Sequence, residues 1–231
     1  MLRTHHTPAW VYLGGLVLTV IAGAINAVGF LGAHHQALSH MTGSVTTIGM
    51  ELVQARFNVA LHAFLILGSF FAGCLLSGAI IRQAALKLGR RYGVVLSLES
   101  VALLLAVYFL RTGSHAGDYL AALGCGLQNA MVTSYSGATM RTTHMTGMVT
   151  DLGIACGHFL RGEHVDWYRF KLYGVLFSGF FAGGVIGTFG YGLFGYDTLL
   201  FPAVLSGIAG GGYVVVKHVE RRNRAPAEPS A

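Results

Sequence analysis

Charge is what this chain has least of. Only 10% of its 231 residues are Asp, Glu, Lys or Arg, where soluble domains carry roughly 25%. With 54% apolar residues and a mean hydropathy of +0.61, that scarcity excludes an ordinary water-soluble domain. Cysteine is scarce too. Cys74, Cys125 and Cys156 lie in apolar stretches without C-x-x-C spacing, which gives neither a disulfide framework nor a cysteine zinc site. Catalytic signatures are missing as well. There is no G-x-S-x-G, no H-E-x-x-H and no P-loop, and no ordered nucleophile, base and orienter can be assigned. Neither an enzyme nor a cofactor is expected.

Glycine is abundant, with 33 residues, as suits closely packed membrane helices. The net charge of +6 is no nucleic-acid signal, because the basic residues cluster between and after apolar segments. The first apolar segment is longer than the roughly 7–15 residues of a signal peptide, and Ala22-Gly23-Ala24 resembles a cleavage site only weakly. An uncleaved first span is expected.

The chain repeats itself. HMTGSVTTIG (40–49) and HMTGMVTDLG (144–153) match at seven positions at an offset of 104. Each follows an apolar segment with an Asn-Ala pair, at Asn26-Ala27 and Asn129-Ala130. Each precedes a Phe-Phe-Ala-Gly, at 70–73 and 180–183. Three landmarks in the same order mean two copies of one unit, here 10–111 and 118–216 within a single membrane domain of 1–231.

Six segments are long enough to span a bilayer, which needs roughly 20 apolar residues: 10–31, 59–81, 92–111, 118–136, 170–191 and 198–216. The HMTG segments, 40–55 and 144–160, are shorter and more polar. If both crossed fully, the 15 basic residues would divide 10 to 5 across the membrane. If both dip in and return, only Arg56 and Arg111 lie on one side and the split is 13 to 2, far better by the positive-inside rule. The expected fold is therefore an all-α integral membrane protein with six transmembrane helices and two short re-entrant helices in two inverted repeats. Both termini would be cytoplasmic, with a basic, disordered tail over 217–231. Small residues at Ser69, Gly73, Ser77 and at Gly179, Gly183, Gly187 form packing stripes, used within the chain or in a homodimer.

An odd number of spans per repeat inverts the second copy, so the two HMTG starts are expected to meet near the bilayer middle. Broken backbone at that depth survives only against protein or a cavity. Helix N-termini favour anions and acceptor-rich ligands. The candidate binding set is Asn26, His40, Thr42, Gly43, Ser44, Asn129, His144, Thr146 and Gly147. A bulky residue at Thr42 or Thr146 should weaken binding. The asparagines read equally well as interhelical hydrogen bonds. His40 and His144 could titrate near physiological pH. Glu99, far from either end of its segment, and Asp151, where the first copy has Thr47, are candidates for proton coupling. Arg141 reads as a surface anchor. His34 and His35 raise a metal site, but no H-x-x-x-H or carboxylate-rich helix joins them, so no metal is expected.

The stretch GLQNAMVTSYSGATMRTTHMTGMVTDLG (126–153), with INAVGFL (25–31) and HMTGS (40–44), resembles the YoaK-type family of multi-pass membrane proteins of largely unknown function. In many relatives the first motif is closer to MTGN, and here Ser44 takes the last place. The resemblance implies a bacterial cytoplasmic-membrane protein, similar to putative exporters, and it carries no substrate. The function expected is a secondary transporter of a small polar or anionic solute, proton-coupled, with the lipid bilayer and that solute as its partners. A channel and a non-transporting adaptor that binds partners through the small-residue stripes are the alternatives.

Overall fold

The computed structural model describes residues 9–81, 90–136 and 139–224. Eight α-helices and one 3-10 turn make up the described residues, in the order α1 (Ala9–Leu31), α2 (Met41–Val53), α3 (Phe57–Ile80), α4 (Arg90–Arg111), α5 (Ala116–Tyr135), α6 (Met145–Leu160), α7 (Trp167–Phe194), the turn Gly195–Leu199, and α8 (Leu200–Arg224). The six long segments and the two short ones fall where hydropathy puts them. The tail departs from expectation. Helix α8 runs on to Arg224, past the expected onset of disorder at 217, because Lys, Glu and Arg are good helix formers. Residues 225–231 lie outside the described residues, as do Arg3, Arg82 and Lys87.

The long helices alternate in direction along the chain, and their glycines record the pairing. Helices α1 and α7 run parallel, with Gly179 against Leu16, Gly183 against Val20 and Gly187 against Ala24. Helices α3 and α5 run parallel too, with His62 beside Tyr119 and Gly73 on the Leu123 carbonyl. Helices α4 and α8 are antiparallel, with Ser100 at Gly207 and Gly93 at Gly210. Corresponding helices thus make corresponding contacts. The Gly73 contact with Leu123 on α5 repeats as Gly183 with Val20 on α1. Even the pattern of exposure over 71–80 recurs residue for residue over 181–190. Both small-residue stripes are thereby used inside the chain, since Gly73, Ser77, Gly179, Gly183 and Gly187 are buried.

Two apolar clusters mark the two ends of the bundle. Ile25, Val28, Leu38, Leu110, Ala121 and Leu199 form one. Val11, Ile81, Tyr92, Val132, Met140 and Leu172 form the other. The outer surface carries large exposed apolar side chains such as Phe64, Phe71, Phe181, Phe189 and Ile208, which only lipid would cover comfortably. Among the described residues four stretches are long and apolar enough to cross a membrane: Val11–Leu31, Phe57–Ile80, Arg91–Arg111 and Trp167–Val215, the last holding both α7 and α8. Helix α5 is less apolar because it is the most enclosed. Asp118 and Gln128 lie buried on it between α3 and α4.

Candidate functional site: two broken-helix starts and a buried carboxyl

Each short helix follows a loop that one bond ties back to the preceding long helix. The Asn26 side-chain oxygen accepts from the Ser39 backbone N–H at 3.1 Å. The Asn129 oxygen accepts from the Thr142 N–H at 3.1 Å. The backbone at Ser39 is thus held against α1 and that at Thr142 against α5. Both asparagines therefore make a hydrogen bond between the long helix and the loop that follows it. Each motif histidine then folds over its own first turn. A side chain on Gly43 would meet the His40 ring, and one on Gly147 the His144 ring, so the glycines leave room for the rings to lie there. Thr46 donates to the Thr42 carbonyl at 3.1 Å and Thr150 to the Thr146 carbonyl at 3.0 Å, a further match between copies.

The two starts do not meet, contrary to expectation. No contact joins α2 to α6. Met41 packs into the cluster at one end of the bundle, Met145 and Met148 into the cluster at the other. The cause is the position of the asparagines. Asn26 stands five residues before the end of α1 and Asn129 six before the end of α5. At 1.5 Å per residue each asparagine stands only about 8–9 Å from the end of its helix, so each start is tied near one end of the bundle. Thr42 and Thr146 face outward, Ser44 is buried, and His40 and His144 are exposed.

The second start opens a pocket of about 200 Å³ lined by Thr139, Arg141, His144, Met148, Asp151 and Tyr173. It gathers His144 and Asp151 from the expected set and adds Arg141, read from sequence as an anchor, and Tyr173 from α7, which faces Asp151 across the pocket. It leaves out Thr146 and Gly147. A cation, an imidazole, a carboxylate and a hydroxyl around one small space can orient a polar solute. A larger hollow of about 710 Å³ between α1 and α7 is walled by Phe30, Phe180, Phe181 and Phe189, and its apolar lining suits lipid chains.

Glu99 is fully buried on α4. It packs over Gly124 of α5 and faces Ser206 of α8, yet neither carboxyl oxygen has a hydrogen bond of good geometry among the described residues. An ionisable side chain at such depth is rare and marks function more often than packing.

One group among the described residues could hold a metal ion: His34, His62, His115 and Asp118, with their ligand atoms all within 4.8 Å of one another. In the sequence His34 stands beside His35 alone. The His115-to-Asp118 spacing of one helical turn was the only local signal, and His62 comes from a different helix. Burial, then the neighbouring His62 and His34 rings, push His115 below the usual histidine range.

An all-helical bundle with lipid-ready outer faces and polar breaks inside defines a helical membrane protein. Within that class, the chain belongs to the family described as protein of unknown function DUF1275, whose match covers residues 14–211, from α1 into α8. No curated protein and no solved structure matches it.

Proposed function

We propose that this protein is a secondary transporter of a small polar or anionic solute, with six membrane spans, two re-entrant helices and inverted repeats. The alternating directions of the long helices support six crossings. In an eight-span chain α4 and α8 would run the same way, whereas they are antiparallel. The basic residues support the orientation. Arg56 and Arg111 are the two basic side chains at the end where α1 finishes among the described residues, and both are ion-paired. Arg56 donates to Glu51 at 2.7 Å and Arg111 to Asp197 at 2.5 Å. The opposite end, with Arg91, Arg141, Arg161, Arg169 and Lys171, is then cytoplasmic, and so are both termini.

The observation that carries the reading is the polar pocket at the start of α6. Its volume is below the roughly 300 Å³ at which drug-sized sites begin, so its occupant is small. Arg141 and the α6 N-terminus attract an anionic group, and Asp151 and Tyr173 bind a donor on the same solute. Glu99 carries the coupling proton, and alternating access rocks the α1–α7 and α3–α5 pairs about the α4–α8 seam.

The test is a thermal-shift screen of the purified protein against small anions, carboxylates, amino acids and nucleobases at two pH values. The expected result is stabilisation by one class, lost in Arg141→Ala and Asp151→Asn and kept in Thr146→Leu, because Thr146 faces away from the pocket. In proteoliposomes, Glu99→Gln should transport that solute without pH dependence. Stabilisation that survives both pocket variants refutes the pocket, and unaltered pH dependence in Glu99→Gln refutes the coupling role.

A further inference from the structure

We propose that His34, His62, His115 and Asp118 form a binding site for one zinc-type divalent ion at the end of the bundle where α1 finishes. The proposal stands apart from the transport reading, because none of the four residues lines the α6 pocket. His34 comes from the loop after α1, His62 from α3, and His115 and Asp118 from the first turn of α5. One carboxylate oxygen is the hub. Asp118 Oδ2 lies 2.5 Å from His34 Nδ1, 3.4 Å from His62 Nε2 and 4.0 Å from His115 Nδ1. Ligands at zinc bond lengths of ~2.0–2.2 Å in a tetrahedron stand about 3.3 Å apart; the His62 and His115 separations suit that spacing, and His34, which now hydrogen-bonds Asp118 directly, must open by roughly 0.8 Å to admit an ion.

Hydrogen bonding alone does not account for the cluster. His62 is 92% buried, being 8% exposed, and its Nε2 atom points at Asp118 with no hydrogen-bond partner. An orphaned ring nitrogen aimed at a buried carboxylate is what a missing ligand leaves behind. Its other nitrogen, Nδ1, lies 3.0 Å from the Tyr119 hydroxyl. That is the second contact that metal-bound histidines use to fix the ring and its tautomer. The three imidazoles also crowd together. His34 and His115 have ring centroids 3.9 Å apart, and His62 and His115 have theirs 4.3 Å apart. An ion held between their nitrogens would offset the cost of that crowding. Three nitrogens and one oxygen select zinc and its transition-metal neighbours over calcium or magnesium. Four protein ligands make the closed set of a structural site. Such an ion ties the loop before α2 to α3 and α5, and so holds the first re-entrant segment in place.

The experiment uses the full chain purified in detergent with a histidine-free tag, stripped with chelator and then given zinc alone. Metal analysis after dialysis should find one zinc per chain, and zinc should raise the thermal midpoint where magnesium does not. Asp118→Asn and His62→Ala should lose the bound zinc. His115→Ala, at a largely exposed position, folds normally and should lose it too. Tyr119→Phe should weaken zinc binding by about tenfold or more. His35→Ala and His158→Ala should bind as the unaltered chain does. A monodisperse unaltered chain that retains no stoichiometric zinc overturns the proposal. So does a folded His115→Ala that retains zinc with unchanged affinity.

Discussion

Leucine at Gly73 or Gly183 should lower the thermal midpoint of the bundle more than any other single substitution considered. At both positions even a Cβ would land on a backbone carbonyl of the facing helix, Leu123 for Gly73 and Val20 for Gly183. Overpacking costs about 1–3 kcal/mol where side chains can move aside. A carbonyl within a helix cannot move aside, so α3 must leave α5, or α7 must leave α1. The cost should reach about 3 kcal/mol or more, a large part of the stability of a domain this size. The check is the thermal midpoint of detergent-purified protein. Leucine at Gly68 and Gly78, on the same helix but facing open space, should leave it unchanged or slightly raised, since leucine is the better helix former. Equal tolerance at Gly73 and Gly78 would mean that α3 and α5 do not pack as described.

Asn26→Leu and Asn129→Leu should each destabilise the chain by about 1–3 kcal/mol, the cost of leaving a buried N–H without its acceptor. Ser39 is 2% exposed and Thr142 is fully buried, so water cannot readily replace the lost amide oxygen. Asn26 is itself buried whereas Asn129 is only half-buried, so the first substitution should cost more. The loss should also be local. Hydrogen exchange should rise over 32–44 in Asn26→Leu and over 139–148 in Asn129→Leu, with the long helices still protected. Uniform loss of protection would show that the asparagines hold the whole bundle rather than the two breaks.

The helices were legible in the sequence because hydropathy alone sets them. The small-residue stripes and the repeated landmarks pointed to helix packing, and the glycine contacts now give each stripe its partner. Depth was not legible. HMTG says that a helix starts, but how far in depends on which residue of the previous helix catches the loop. Only the Asn26–Ser39 and Asn129–Thr142 bonds reveal that. The pocket was half legible. His144 and Asp151 lie on the repeated motif itself, but Tyr173 joins them from α7 across a tertiary contact. The histidine cluster was hidden for the same reason. His34, His62 and His115 are remote in sequence, and no spacing rule connects residues brought together by the parallel packing of α3 and α5.

The central claim is that α2 and α6 enter and leave on the same face, α2 from one side of the membrane and α6 from the other. It is tested most directly by cysteine accessibility in sealed right-side-out vesicles, with Cys74, Cys125 and Cys156 replaced by alanine. Ala33→Cys and Gln54→Cys, which flank α2 at exposed positions, should both react with a membrane-impermeant maleimide added outside. Arg141→Cys and Glu163→Cys, which flank α6 and are also exposed, should react only after the vesicles are opened. If Ala33→Cys and Gln54→Cys label from opposite sides, α2 crosses the membrane and the account of two re-entrant helices is wrong.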